Sequence, residues 1–239
     1  MIKLRVLATA IAAAATLGAC SQENAPSEAI RDATDKVVEQ AAGKQAPKLA
    51  KGPLAPRDDC GSIEGATQFR QTLSRAVKAK DVDALAALVA PDVKLDFGGG
   101  GGTPELRKRL AENDVLWAEL AELVDLGCAA SGDGGIVVPW LFEQDMGGRD
   151  PMVAMIVTGE DVPVHETIDP ASPVTGTVSW DAVELVGGLM PRAALQHVKL
   201  ADGKTGYIAA DRLRSLLDYR LYASSRDGKW SITSFVAGD

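Results

Sequence analysis

The last twenty-one residues constrain the fold most. Tyr219, Leu221 and Ala223 alternate with more polar neighbours, and Trp230, Ile232, Ser234 and Val236 alternate after them. Asp227-Gly228 lies between, a dipeptide suited to a two-residue turn with two positive φ angles. The stretch reads as a β-hairpin. A two-stranded hairpin alone is marginal in water, so it must pair with strands from elsewhere. Two are available upstream. Val93, Leu95 and Phe97 alternate with Asp92, Lys94 and Asp96, a half-buried strand over 92–97. Ile136, Val137, Val138, Trp140 and Leu141 give a buried strand over 134–142, interrupted by Pro139. One sheet made from all of them is the economical solution.

Helices supply its cover. Phe69, Leu73 and Val77 recur every four residues and predict a helix over 64–79. Asp81 caps a second one, with Leu85, Leu88 and Val89 inward and Pro91 ending it. Thr103 and Pro104 suit the opening of a long helix over 104–125, with Leu106, Leu110, Trp117, Leu120 and Val124 on one face and Gly127 as its stop. Before it stand five glycines, Gly98 to Gly102. No Lys-Ser/Thr follows them, so they are not a P-loop, and Glu105 puts negative charge where a phosphate would sit. The run reads as a flexible surface loop.

The N-terminus carries a different message. Lys3 and Arg5 precede an apolar run from Val6 to Leu17, the marks of a secretory signal. The run is short of the roughly 20 residues a spanning helix needs. Leu17-Gly18-Ala19-Cys20 resembles the lipobox of bacterial lipoproteins. That resemblance implies that residues 1–19 are removed, that Cys20 is lipidated, and that acyl chains hold the protein to a membrane. Ser21 stands where Asp would favour the inner membrane, which implies the outer membrane, facing the periplasm. Residues 20–57, rich in Ala, Pro, Lys, Gln and Glu, read as a tether, with a weak helical pattern over 27–42.

With Cys20 acylated, Cys60 and Cys128 remain, and an oxidising compartment favours a bridge between them over two separate thiols. Loss of Lys3 and Arg5 takes the net charge from −8 to about −10. Such a surface repels phosphate backbones, so nucleic acid is excluded as a partner.

Residues 153–213 carry a second pattern. Val162-Pro163-Val164-His165, Ser172 to Val178, Trp180 to Val186, His197 to Leu200 and Asp202 to Ile208 are short alternating strands separated by Gly, Pro and Asp-Gly turns, which predicts a small barrel. Taken in order, these pieces resemble bacterial SH3-like domains. Such domains often bind peptides or cell-wall stems through an aromatic groove, which implies Tyr207 and Trp180 as ligand-binding residues. His165 stands where Arg is usual, and Leu195-Gln196-His197 replaces a common Trp. The remaining order of elements, helix, helix, strand, helix and closing hairpin, resembles the nuclear-transport-factor-like cone folds. The expected architecture is α+β: helices packed on an antiparallel sheet closed by the C-terminal hairpin (58–152 plus 214–239), with an SH3-like barrel inserted at 153–213.

No catalytic set emerges. His165 and His197 have no paired nucleophile motif, and no Cys or His spacing suits zinc. No cofactor or metal is expected. The leading expectation is a non-enzymatic envelope lipoprotein that binds a protein or peptidoglycan peptide through the SH3-like unit. The alternative is a small-molecule binder or enzyme using a deep pocket between the long helix and the sheet. A third expectation is an assembly role.

Overall fold

The computed structural model describes residues 50–132 and 134–238. Cys20, the residues 1–19 read as a signal and most of the stretch 20–57 read as a tether lie outside the described residues. Those described form one compact α+β unit containing two sheets, of five and seven strands.

The five-stranded sheet carries the helices. Its elements are α1 (Ala66–Lys78), α2 (Val82–Ala86), β1 (Val89–Lys94), α3 (Thr103–Glu112), α4 (Asp114–Asp125), β2 (Ala129–Ala130) and β3 (Ile136–Val138). The seven-stranded sheet follows, with β4 (Ala154–Val157), β5 (Val162–His165), β6 (Val174–Val178), β7 (Ala182–Leu185), β8 (Leu195–Lys199), β9 (Thr205–Ala209) and β10 (Leu213–Ser215). The chain then returns to the first sheet as β11 (Arg220–Arg226) and β12 (Lys229–Val236).

The hairpin is where the sequence puts it. Asp227 (φ 52°) and Gly228 (φ 75°) take the two positive angles the tight turn requires. Strand order in the first sheet is β1-β12-β11-β3-β2. The hairpin therefore bridges the two upstream strands. One pairing differs from expectation: β1 runs parallel to β12, so the sheet is mixed rather than antiparallel. Pro91 does not end a helix but sits within β1, on the sheet's edge, where a missing N–H is tolerated. The second helix is correspondingly only five residues long, capped as predicted by Asp81, which accepts from the Ala84 N–H at 2.9 Å.

The long helix is two. Asn113 adopts extended backbone (φ −140°, ψ 98°), and its side chain accepts from the Val115 N–H and starts α4. The break lets Leu106 and Leu110 of α3, and Leu116, Trp117, Leu120 and Leu123 of α4, all reach one core with Phe69, Leu73, Leu221, Ile232 and Phe235. Phe69 stacks on Trp230 at 5.7 Å between centroids.

The glycine run is not a loose loop. Leu95 N–H donates to Gly100 O and Gly102 N–H to Val93 O, closing a tight turn after β1. Asp96 fills that turn, accepting from the Gly98 and Gly100 N–H groups and pairing with Arg109 at 2.6 Å. The anion in this glycine cradle is the protein's own carboxylate. The Arg109 guanidinium, and then the Gly100 N–H, hold the Asp96 carboxyl below its ordinary value. A Cβ on Gly101 would stand 2.6 Å from the Val93 carbonyl, so glycine is required there.

The second sheet runs β10-β4-β7-β8-β9-β5-β6, every pair antiparallel. Its first and last strands do not meet, so it is an open curl rather than the closed barrel expected. Its inner face buries Met155, Val157, Val162, Val164, Val183, Leu185, Val198 and Ile208. A third cluster, Leu54, Ala129, Val137, Trp140, Leu141, Ile156 and Ala182, joins the two sheets. Leu54 and Ala55 are buried, so packing begins inside the stretch read as tether.

Cys60 and Cys128 form a disulfide, with Cα atoms 5.8 Å apart. It closes a 68-residue separation, and chain entropy over such a loop corresponds to about 4 kcal/mol. Reduction, or Cys60→Ala with Cys128→Ala, is expected to lower unfolding free energy by about that amount, read by urea denaturation with and without reductant.

Arg214 on β10 is buried and faces α4. Its guanidinium lies 2.9 Å from Glu122, 3.6 Å from Asp218 and 3.9 Å from Glu119, and donates to the Tyr219 carbonyl at 2.8 Å. Burial first, then the neighbouring Asp218, pushes the Glu119 carboxyl above its ordinary value, against the pull of Arg214. An acid raised on folding favours the folded state fully below its unfolded pKa and loses that contribution as pH rises through the folded value. Glu119→Gln is therefore expected to raise the melting temperature at neutral pH, with the gain vanishing in acid below the unfolded carboxylate pKa. Thermal melts across pH check it.

Candidate functional site

The seven-stranded sheet offers an ordered row of side chains on its outer face. In β9, Gly206 and Ile208 point inward, which leaves Tyr207 outward. Tyr207 stands directly opposite His197 of β8 and directly opposite His165 of β5. The His197 and Tyr207 rings stack with centroids 4.7 Å apart and planes 12° from parallel. Both histidines of the chain thus flank one tyrosine. The row extends further. Val174 of β6 lies opposite His165, and the Val186 N–H donates to the His197 carbonyl at 2.9 Å on the far side. Val174 is 54% exposed and Val186 37%. Register alone therefore lays a stripe Val174–His165–Tyr207–His197–Val186 across the sheet.

Hydrogen bonding fixes the chemistry at one end. His165 Nδ1 lies 3.2 Å from the Ser172 carbonyl, which can only accept, so Nδ1 carries the proton and Nε2 is left for a ligand. One position along the outer face, Glu184 and Lys199 form an ion pair at 2.6 Å, and Lys199 holds the Glu184 carboxyl below its ordinary value. The stripe is thus an aromatic and imidazole surface with a charged neighbour that is already neutralised. It suits stacking on planar groups and hydrogen bonding to an extended chain.

The loop after β7 is built from one buried side chain. The Gln196 Oε1 accepts from Met190 N–H at 2.8 Å, and its Nε2 donates to the carbonyls of Met190 and Ala193. This amide holds the 187–194 loop, with exposed Leu189, against β8.

Trp180, the other residue predicted to bind, is not part of this stripe. It lies in the β6–β7 turn at φ 41°, donates to the Gly159 carbonyl and accepts from the Leu54 N–H at 2.8 Å. Its backbone receives the incoming chain. Among the described residues no ring contact joins it to Tyr207.

The partner of Tyr207 is set by the length of the loop. Asp202-Gly203 taken as a two-residue turn places Val198 opposite Tyr207, whereas the observed three-residue loop, residues 201–203 closed by the Leu200 N–H on the Lys204 carbonyl, moves the register by one and places His197 there.

Three other sites bear on function. The expected deep pocket between α3, α4 and the sheet is filled. Its residual space is about 10 Å³, lined by Leu85, Val89, Val93, Leu106, Leu120, Leu221, Ile232 and Phe235, all apolar, room for no more than a single water. A cleft of about 230 Å³ opens beside α1, but its charges, Asp58 and Arg70, are paired with each other. The Arg70 guanidinium holds the Asp58 carboxyl below its ordinary value. A shallow groove of about 440 Å³ runs along β11, past Ser131, Tyr222, Ser224, Arg226 and Thr233. Among the described residues no group of three or more His, Cys, Asp or Glu side chains is placed to hold a metal.

No protein-family model matches the chain, and no curated protein does.

Gln196→Leu removes an amide that satisfies three backbone groups. The change is expected to cost about 2 kcal/mol and to raise amide exchange selectively over 187–194, measured by hydrogen exchange with mass spectrometry.

Proposed function

We propose that this chain is a non-enzymatic envelope lipoprotein, anchored through Cys20 in the outer membrane. Its seven-stranded SH3-like unit binds a peptide, from peptidoglycan or an envelope protein, over the outer-face stripe centred on Tyr207. The observation that carries the reading is the register-aligned row of His165, Tyr207 and His197, half-exposed, with His197 stacked on Tyr207 and exposed valines at both ends. A stripe of this kind crosses the strands and offers ring faces at regular spacing, which suits a short extended ligand better than a small molecule. The Cys60–Cys128 bridge accords with an oxidising compartment. The lipobox-like Leu17-Gly18-Ala19-Cys20 supplies the anchor. The small-molecule alternative loses its main support, because the interior it needs is packed with side chains.

Two measurements test the proposal. Cys20→Ser is expected to abolish acyl labelling and release the protein from membranes. Retention on purified peptidoglycan, or on peptides of its stems, is expected to fall at least about tenfold for Tyr207→Ser and for His197→Ser, with thermal unfolding little changed. Absence of retention for the unaltered protein on both peptidoglycan and envelope-protein fractions would remove the binding reading. An unlabelled Cys20 would remove the anchoring one.

A further inference from the structure

Arg70 of α1 has few partners for its burial. Its side chain is 19% exposed, and its one described partner is Asp58, met by Nη1 at Oδ1. A guanidinium carries five N–H donors. Arg109 is more open, at 32%, yet reaches Glu105, Asp96 and the Leu95 carbonyl. Arg214 is buried and meets both carboxylates and a carbonyl. Arg70 Nε and Nη2 hydrogen-bond to no described residue. Largely buried donors that lack an acceptor in their own chain are uncommon and call for an explanation.

Arg70 lines the cleft of about 230 Å³ beside α1. Thr67, Gln71 and Ser74 of the same helix line it too, and with Arg70 they fall at i, i+3, i+4 and i+7, one face of the helix. The side chains of Thr67, Gln71 and Ser74 hydrogen-bond to no described residue. Elsewhere on α1 the polar groups satisfy one another: Thr72 donates to the Gln68 carbonyl and accepts from Arg75. Leu73, Val124 and Val138 give the cleft an apolar floor.

Asp58 closes the cleft from another segment and is rigidly held. Cys60 N–H donates to its Oδ1, and its backbone forms a bridge with Cys128, the disulfide partner of Cys60. Its Oδ2 accepts from no described residue. The Arg70 guanidinium holds the carboxyl below its ordinary value, so it is ionised at neutral pH. The cleft therefore presents one fixed positive and one fixed negative group, each with bonding capacity left. A lone anion on Arg70 would face Asp58 and the field of a chain with 33 acidic and 25 basic residues. A lone cation on Asp58 would face Arg70. A zwitterion meets both groups with opposite charge and lies as a dipole antiparallel to theirs.

We infer that this cleft binds a small zwitterion of the α-amino-acid class, its carboxylate on the Nε and Nη2 of Arg70, its ammonium on Asp58 Oδ2, and its side chain over Leu73, Val124 and Val138. The guanidinium fork matches a carboxylate with two parallel hydrogen bonds. The Ser74 and Thr67 hydroxyls and the Gln71 amide border the same space and supply further donors and acceptors. Sites for drug-sized ligands begin at about 300 Å³, so this cleft suits a molecule of amino-acid size. It shares no residue with the Tyr207 stripe, and the inference does not rest on the function proposed for that stripe.

Titration of the nitrogen-15-labelled full chain, followed by NMR, tests it with three probes on one skeleton: alanine, propionate and ethylamine. Alanine is expected to shift the backbone amides of 67–74 and the Arg70 Nε–H saturably. Propionate and ethylamine each lack one charge and are expected to bind at least about tenfold more weakly. Asp58→Asn keeps an oxygen for the Cys60 N–H and removes the charge, so it is expected to erase the preference for alanine over propionate. Arg70→Lys keeps the charge and removes the fork, and is expected to weaken alanine binding at least about tenfold. Asp58 is the more exposed of the pair, so its variant decides the matter should Arg70→Lys fail to fold. Absence of saturable shifts with alanine overturns the inference. So do equal responses to the three probes, shifts confined to the Tyr207 stripe, or a preference for alanine that survives Asp58→Asn.

Discussion

Strand β3 has three residues, and all three are buried. Ile136 and Val138 face the helices and share their core with Phe69, Leu120 and Leu221. Val137, on the opposite face, packs with Leu54, Trp140, Leu141, Ile156 and Ala182. A strand with apolar cover on both sides cannot end a domain; something must lie on each face. Burying each of these side chains contributes roughly 1.5–3 kcal/mol, and here the same short strand contributes to two cores at once. The seven-stranded unit is held against the helical unit at this point. The segment 54–60 reinforces it. Cys128 N–H donates to the Arg57 carbonyl, Asp59 N–H donates to the Cys128 carbonyl, and Trp140 Nε1 donates to Asp59.

Arg214 is the polar counterpart of that apolar seam. It belongs to the edge strand of the second sheet and reaches carboxylates on a helix of the first. A buried guanidinium adds little net stability, because its desolvation offsets most of the attraction. Its effect is on orientation: only one placement of β10 against α4 gives the cation its partners. Burial, and after it the carboxylates of Asp218 and Glu122, leave Glu119 the least comfortable of the group and push its carboxyl above its ordinary value.

The sequence was most legible where a local rule had no competitor. The Asp227-Gly228 turn, the Asp81 cap and the alternating strands of 162–209 each follow from a few neighbouring residues, and each is present. It was least legible where a distant partner decided. Parallel pairing of β1 with β12 is invisible to alternation, which fixes faces but not direction. Asn113 fits a helix interior tolerably, and only the need to bring two short helices onto one core makes it a cap. The five glycines read as a flexible loop because Arg109, which pairs with Asp96 and completes the turn, lies on the next helix. At the candidate site, Tyr207 was visible as an aromatic residue in an alternating strand. The two histidines became meaningful only once hairpin register brought them beside it. The surroundings of Trp180 were illegible for a related reason: they are set by Leu54, far earlier in the chain.

The pairing of β1 with β12 has a kinetic corollary. These strands come from opposite ends of the described chain, and the whole seven-stranded sheet is made between them. While the chain is being synthesised, β1 has no strand to lie against until β12 exists. Such long-range closure makes folding slow, because loop entropy is lost before any contact compensates for it. Nascent chains of this kind spend their early life incompletely collapsed, a state compatible with passage through a narrow channel and hazardous only if it is prolonged.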